Sequence, residues 1–392
     1  MSRSRNSRKN PYDSDVEYEV ELDRIKPYSE TDSIDNYVPP SKQELEKMIM
    51  KNKKNQRKQG KAKRVVLIIL LVLLLLIAAL AATFLILQNK GKKDLMNFDD
   101  MNVSTIDGSV AESDGKTITY KGRTYRLNEN ITSIACLGVD KEELMVGARP
   151  GTAGQSDTNI VLVIDTAKGT VTAINIPRDT MCDVNVFTVK GNFVNTTHEQ
   201  LCMAYAYGDG KKTSCENAVA SIERVLFGMP INSYISLDMD GVGVINDSVG
   251  GVTVIPNETI SGFEKGRAVT LHGGEAMNFV RTRSTDVNAS LRRSERHVTY
   301  AKAFAQTALS AVKKDFGTIT RLYNTTMRYC STNVDLSKVT YLATTLLSKG
   351  FGGLNAVTVP GTMAAGEKYA EYTVDTEAAF EMILSIFYTE VI

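Results

Sequence analysis

Four arginines and two aspartates stand where the chain turns into or out of regular structure: Arg178, Arg281, Arg283, Arg293, Asp140 and Asp157. Arg178 follows Ile174-Asn175-Ile176-Pro177, the end of an alternating apolar run that proline stops, since it has no N–H to extend a ladder. Asp140 closes the apolar run Ile131–Val139, and Asp157, in Ser156-Asp157-Thr158, opens the next. Carboxylates at neighbouring strand ends can share a hard cation, and Mg²⁺ takes one or two of them together with phosphate oxygens and water. Arginine supplies the other half of such a site, because its planar fork binds phosphate oxygens in pairs. Arg281-Thr282-Arg283 serves one site only if the backbone between the arginines is extended, since residues two apart on a helix diverge by ~200°. Arg293, Arg296 and His297, at i, i+3 and i+4, share one face near the start of a helix, where the positive helix end favours anions. Singly, each arginine reads as a solvated surface charge and each aspartate as a cap or turn residue. Together they read as a phosphoryl-transfer site, with a pyrophosphate on Arg178, Arg281, Arg283 and Arg293 beside Mg²⁺ on Asp140 and Asp157. No Gly-rich phosphate loop with a lysine, no H-E-x-x-H and no paired-cysteine zinc spacing competes with it. His198 and His272 read as ordinary polar positions.

The elements that must hold these residues follow from periodicity. Ile131–Val139, Asn159–Asp165, Thr170–Ile176, Ser233–Met239 and Val252–Ile255 are β-branched and apolar, which predicts core strands. Thr117–Tyr120 and Arg123–Leu127 around Lys121-Gly122 predict a hairpin. Helices are expected over about 198–207 and 214–227, at Gly241–Ser248 and Glu275–Val280, and over Leu291–Val312. The last carries Val298, Ala301, Phe304, Ala305, Ala308, Leu309 and Val312 on one stripe. Helix Leu336–Lys349, strand Val357–Pro360 and helix Thr376–Tyr388 form a last α/β unit. Interleaved strands and helices predict a single α-β-α sandwich domain with a central mixed sheet, an α/β fold with a full core.

The chain carries 46 basic and 45 acidic residues among 392, so net charge selects no partner. Its distribution is informative. Residues 1–64 hold 16 Lys+Arg against 11 Asp+Glu, and Val65–Leu87 is a run of 23 uncharged, almost wholly aliphatic residues. At 1.5 Å per residue that run spans a bilayer core of ~30 Å, and it is too long and too distant from the N-terminus for a cleaved signal peptide. Nine Lys/Arg lie between Lys47 and Arg64, which by the positive-inside rule predicts a single-pass type II membrane protein with residues 88–392 outside. Residues 1–64 then form a basic cytoplasmic tail, polar and disordered over 1–40, with Ser41-x-x-Glu44 as a capping box. Anchoring at an anionic membrane face accounts for its basic run better than nucleic-acid binding does. Residues 88–130 read as linker and small hairpin, and 131–392 as the main domain. Five cysteines at irregular spacing give no metal motif and leave one or two bridges open, with Cys136 expected as a buried free thiol.

Several stretches, in order, resemble the LytR-CpsA-Psr family of Gram-positive envelope proteins. They are Leu137-Gly138-Val139-Asp140, Ser156-Asp157-Thr158-Asn159, Ile176-Pro177-Arg178-Asp179-Thr180, Ala204-Tyr205-Ala206-Tyr207-Gly208, Asp247-Ser248-Val249-Gly250-Gly251-Val252, Gly274-Glu275-Ala276 with Val280-Arg281-Thr282-Arg283, and Arg293-x-x-Arg296. The resemblance covers about 131–312 and implies transfer of a polyprenyl-pyrophosphate-linked glycan, such as teichoic acid or capsule, onto peptidoglycan with release of the polyprenyl phosphate. By position it implies Asp140 and Asp157 as Mg²⁺ ligands and, with Arg178 and Arg281, as catalytic residues. It implies Arg178, Arg281, Arg283, Arg293 and His297 on the pyrophosphate, Asp179 and Arg296 orienting them, and the lipid tail in an apolar groove between sheet and helices. Two positions depart from the pattern: His297 stands where the family usually has Gln, and Arg292 where a small Gly is common. The loop Lys141 to Gln155 is also longer. A membrane regulator and a lipid-linked glycan carrier are the alternatives, and transfer is what separates them from an enzyme.

Overall fold

The computed structural model describes residues 41–98, 101–112, 114–139, 153–188, 191–282, 289–366 and 369–391. Asp140, Arg283, residues 1–40 and most of the loop after Asp140 lie outside the described residues. The chain divides into two compact units, Met1–Ile77 and Ala78–Ile392, and the boundary falls within the residues of one helix, α1 (Lys42–Leu95). Ser41 and Glu44 cap its start reciprocally, Ser41 N donating to Glu44 Oε2 at 2.9 Å and Glu44 N to Ser41 Oγ at 3.4 Å. Arg64–Leu95 within it is long and apolar enough to cross a membrane.

Within the second unit, residues 88–95 are helical rather than linker. One face of the last turns of α1 is docked on the domain, through positions three and four apart. Phe84 stacks edge-on with Phe316, their ring centroids 5.9 Å apart. Gln88 donates to Thr344 Oγ1 at 2.8 Å, and Leu95 is buried, its carbonyl accepting from Thr132 Oγ1 at 2.9 Å. Gly91 lies between them, and a Cβ there would sit 2.2 Å from the Ser337 carbonyl oxygen, so no larger residue fits.

The chain continues with β1 (Ser109–Ala111), β2 (Thr117–Tyr120), β3 (Arg123–Leu127), β4 (Ile131–Val139), β5 (Ser156–Asp165), β6 (Thr170–Asn175), β7 (Met181–Phe187) and β8 (Phe193–Gln200). Next come α2 (Cys202–Ala206), α3 (Lys212–Val225), β9 (Ser233–Asp238), α4 (Gly241–Ser248), β10 (Val252–Val254), β11 (Val269–Leu271), α5 (Gly274–Arg281) and α6 (Ala289–Lys314). The last part is α7 (Thr318–Thr326), β12 (Cys330–Thr332), α8 (Leu336–Lys349), β13 (Leu354–Thr358), β14 (Gly361–Ala365), β15 (Ala370–Val374), α9 (Thr376–Phe387) and β16 (Tyr388–Val391).

The main sheet has the order β12-β9-β4-β5-β6-β13. It is mixed: β4 pairs antiparallel with β5 and parallel with β9, and β6 pairs parallel with β13. Helices cover both faces, giving the α-β-α sandwich expected. The predicted hairpin is β2–β3, turning through Lys121 and Gly122 at φ 48° and 76°, the primed geometry that matches strand twist. It joins β1 and β16 in a separate small sheet.

A second stretch differs from expectation. Residues 198–200 end a strand, and the helix begins only at Cys202. Strand β8 is polar and exposed along most of its length, so its alternation carries no apolar signal. It is held instead by pairing with β7, including Thr196 with Asn185 and His198 with Asp183. All five cysteines, Cys136 included, are free thiols.

Candidate functional site

Arg178 sits in a tight turn at the carboxyl end of β6, the edge where open α/β sheets place ligands. Both the backbone N–H and the hydroxyl of Thr180 bond the Pro177 carbonyl, at 3.1 and 2.7 Å. The turn is pinned on either side. Cys202 N and Leu201 N bond the carbonyls of Arg178 and Thr180 at 3.1 and 2.8 Å, while Tyr372 N bonds that of Asp179 at 2.8 Å. So fixed, Arg178 donates from Nη1 to Asp157 Oδ1 and from Nη2 to Gln155 Oε1, the latter at 2.6 Å. Nη2 also contacts Cys202 Sγ at 3.4 Å. Burial keeps that thiol's pKa raised despite the guanidinium beside it. Asp179 Oδ1 lies 3.4 Å from Arg178 Nε and accepts from Gln200 Nε2 at 3.2 Å. That places it beside the guanidinium as an orienting group. Nε itself is buried without a hydrogen-bond acceptor among the described residues.

The second oxygen of Asp157 faces another arginine, with Arg293 Nη1 3.4 Å from Oδ2. One carboxylate therefore joins two guanidinium groups that are 136 and 21 residues away in sequence. Only 6% of the Asp157 side chain, 6% of Arg293 and 17% of Arg178 are exposed. In so dry a setting each charge interaction is strengthened, and each unpaired charge is costly.

The head of α6 fastens this cluster to its surroundings. Ser294 Oγ donates to Asn175 Oδ1 at 2.6 Å, at the end of β6. Arg296, wholly buried, donates to Glu258 and to the carbonyls of Phe279 and Thr282. Arg292 Nε lies 3.1 Å from the other Glu258 oxygen. His297 Nε2 bonds the Val280 carbonyl at 2.8 Å and Nδ1 meets Thr158 Oγ1 at 2.8 Å. A carbonyl only accepts, so Nε2 carries the proton and Nδ1 accepts from the threonine. Burial, aided by Arg293 and Arg296, pushes the His297 pKa down to about 4. The ring is neutral and both nitrogens are spent on protein, so the structure makes it a positioning group rather than a protonated phosphate donor. Arg296 and His297 together take the carbonyls that the end of α5 leaves unpaired. Thr282 beyond it is extended, at φ −60° and ψ 135°, as the reading of Arg281-Thr282-Arg283 required. Arg281 stands exposed on the last turn of α5.

Of the expected residues, the structure thus brings Arg178, Arg293 and Asp157 into direct contact, with Asp179 beside Arg178. It places Arg296 and His297 one layer back. Gln155, Cys202, Thr158 and Glu258 also take part, and sequence reading did not assign them. Thr158 lies inside a quoted motif, and Gly138 opposite it leaves it room, since a Cβ there would meet Thr158 Cβ at 2.9 Å. Glu258 lies in an irregular stretch with no periodic signal. Among the described residues no three His, Cys, Asp or Glu side chains gather as a ready metal cage. Both Asp157 oxygens face guanidinium groups here, Oδ1 that of Arg178 and Oδ2 that of Arg293.

A model of the LytR_cpsA_psr family matches residues 96–385. The chain belongs to the LytR-CpsA-Psr family. A polyisoprenyl-teichoic acid–peptidoglycan teichoic acid transferase, TagU of Oceanobacillus iheyensis, is 29% identical over 248 residues, 61% of this chain and 69% of that one. TagU of Halalkalibacterium halodurans is 31% identical over 168 residues, 42% of this chain and 49% of that protein. The match to this second relative spans about half its length. Among solved structures, B. subtilis TagV aligns with a TM-score of 0.52 at 20% identity, covering 66% of this chain and 96% of that one. A Streptococcus agalactiae protein aligns at 0.54 and 16% identity, covering 67% and 91%. These likenesses place the α-β-α domain among LytR-CpsA-Psr folds, and the arginine–aspartate cluster falls inside the family match.

Proposed function

We propose that this protein transfers a glycan from a polyprenyl-pyrophosphate carrier to a peptidoglycan hydroxyl and releases polyprenyl phosphate. The observation that carries this reading is the Asp157 carboxylate held between Arg178 and Arg293 at the carboxyl edge of the sheet. Two guanidinium groups converging on one oxyanion are positioned to bind a pyrophosphate as well, and charge stabilisation is the main task in phosphoryl transfer. The donor and acceptor classes are those in the names of the TagU relatives.

In the reaction, the acceptor oxygen forms a bond to the glycan-bearing phosphorus and the P–O bond to the leaving polyprenyl phosphate breaks. The hydroxyl proton ends on that phosphate or in water. Arg178 and Arg293 bind the pyrophosphate oxygens, and Arg281, exposed at the end of α5, extends the cationic edge; the family resemblance assigns Arg283 to the same group. Asp157, with Asp140, would hold a Mg²⁺ that when bound supplies further positive charge against the pyrophosphate. Asp179 and Gln155 hold the Arg178 fork in plane. Arg296 and His297 keep the end of α5 in place, and with it Arg281. The prenyl tail lies along the sheet face under α6 and α8. The basic stretch Lys47–Arg64 supports a cytoplasmic N-terminus, with the transferase domain on the outer face of the membrane.

The test uses the full-length protein in lipid nanodiscs, a synthetic polyprenyl-pyrophosphate glycan and peptidoglycan fragments, with Mg²⁺ present or chelated. Mg²⁺-dependent attachment of glycan with release of polyprenyl phosphate is expected, lost in Arg178→Ala and Asp157→Ala. Tight lipid binding without transfer across several donors and acceptors would make the protein a carrier.

A further inference from the structure

No residue of β8 is buried, yet the strand is eight residues long and spans about 26 Å. Its partner β7 buries Cys182 and Val184, which join the core that α3 covers. Side chains alternate across a strand, so the opposite face of the hairpin carries Asp183 and Asn185 of β7 with Thr196, His198 and Gln200 of β8. These side chains form rungs. Thr196 Oγ1 donates to Asn185 Oδ1 at 3.1 Å, and Arg224 Nη2 donates to the same oxygen at 2.9 Å. His198 Nδ1 meets Asp183 Oδ1 at 3.1 Å. A carboxylate only accepts, so Nδ1 carries the proton and Nε2 is left to meet a ligand hydroxyl. The pair stays wet, with 64% of the histidine and 63% of the aspartate side chain exposed.

The two ends of this row differ. Towards the turn, the rings of Phe187 and Phe193 meet edge-on with centroids 6.1 Å apart, and Phe193 is exposed. At the other end, Gln200 Nε2 bonds Asp179 Oδ1 at 3.2 Å and the Ala370 carbonyl at 2.7 Å. Asp179 in turn lies against Arg178, so the row runs directly into the arginine site. Edge strands commonly carry Lys or Pro to repel other strands, and Phe193–Gln200 has neither. Amides, an imidazole and a carboxylate in line, ending on an exposed ring, suit a sugar chain. Such polar groups pair with hydroxyls, and a ring takes the apolar face of a pyranose. Charge selects which chain. Arg224 offsets Asp183 on this face, so no cationic surface is present to hold an anionic donor polymer, whereas an uncharged sugar backbone is matched.

We propose that this face of β7–β8 holds the glycan strand of the peptidoglycan acceptor and leads it past Gln200 to the arginines. This rests on the transfer reaction proposed above.

The experiment uses full-length protein in nanodiscs and uncross-linked peptidoglycan strands of defined length. Strand binding is titrated without donor, and transfer is then followed at varied acceptor and at varied donor. The variant is Phe193→Ala/His198→Ala, in which both replaced side chains are exposed, with melting curves to confirm folding. It should bind the strands about tenfold more weakly and raise the acceptor KM by a similar factor, with the donor KM retained. Wild type should favour long strands over a single disaccharide, and the variant should lose most of that preference. Unchanged strand affinity in the folded variant, or a raised donor KM in place of the acceptor KM, would overturn the acceptor strip and leave the transfer reaction standing. Absence of strand binding by wild type would overturn the strip as well. Strand binding that the variant weakens, without any transfer by wild type, would instead overturn the reaction and leave the strip as a surface for peptidoglycan glycan.

Discussion

On one face of the main sheet, Leu137, Val161, Ile174 and Ile176 lie in a closed core with Ala218 and Ile222 of α3 and Phe380 and Ile383 of α9, all of them buried. On the other face, Cys136 and Leu162 keep part of their surface open beneath α6 and α8, between the buried Ile134, Ile160, Ile164 and Val171. The strands alternate identically on both sides, so the strands do not make the difference. The covering helices do. The closed face receives Phe380, whose ring meets those of Tyr120 and Phe227 at 5.3 and 5.2 Å, and large rings fill the space between layers. The α6 stripe sets Ala301, Ala305 and Ala308 among Val298, Phe304, Leu309 and Val312, and of these only Val312 is buried. Apolar area left half-covered stabilises the fold less, and it leaves room for something other than protein.

Four changes test that contrast. Phe380→Ala should cost roughly 3–5 kcal/mol, read as a large drop in melting temperature in detergent; a loss below about 1 kcal/mol would mean the closed face is not closed. Arg178→Ala should lower transfer roughly 100-fold or more with the protein still folded, and Arg178→Lys should not restore it, since a lysine lacks the fork. Full rescue by lysine would reduce Arg178 to a point charge.

The third change is in pH. His297 has its folded pKa pushed down to about 4 from a usual 6.5, so the unfolded chain binds the extra proton first. Stability should therefore be unaffected by this group above about pH 6.5 and should fall as pH drops towards 4. The full cost is roughly 3 kcal/mol. Melting curves from pH 7 to 4 should show a steeper decline in wild type than in His297→Gln; parallel curves would place the ring in water. The smallest effect is expected on the open face. Leu342→Ala, on the α8 side of that cluster, should cost only about 1 kcal/mol while weakening long-chain prenyl phosphate binding. A loss as large as that of Phe380→Ala would erase the distinction between the faces.

Much of this was legible beforehand, and unevenly so. Strand β4 and helices α4 and α8 fall at the limits that periodicity sets, because each has an apolar face to bury. The Arg178 turn was legible because proline ends its strand. Strand β8 was not, since cross-strand polar pairs hold it and no apolar pattern marks it, and β7, although Cys182, Val184 and Val186 alternate with Asp183 and Asn185, was passed over in the sequence. Within the site, the acid and the arginines could be named, but not the sharing of Asp157 between Arg178 and Arg293, nor the role of Glu258. Those are contacts between segments far apart in sequence, and spacing carries no trace of them. The role of His297 shifted for the same reason. Its neighbours along the helix are arginines, whereas its partners in space are a threonine and a carbonyl.

The same separations bear on when the site comes into being. Asp157 and Arg293 are 136 residues apart, and Thr158 and His297 are 139, whereas the β4–β5 and β5–β6 pairs close between neighbouring segments. Closing so long a loop costs chain entropy that the sheet does not require first. The β4–β5–β6 pairing should accordingly form early, and the head of α6 should dock late and open first in the native protein. Amide exchange at Ser294–Val298 is expected to be faster than in β4 and β5, with a population in which the core is complete and the arginines have yet to meet.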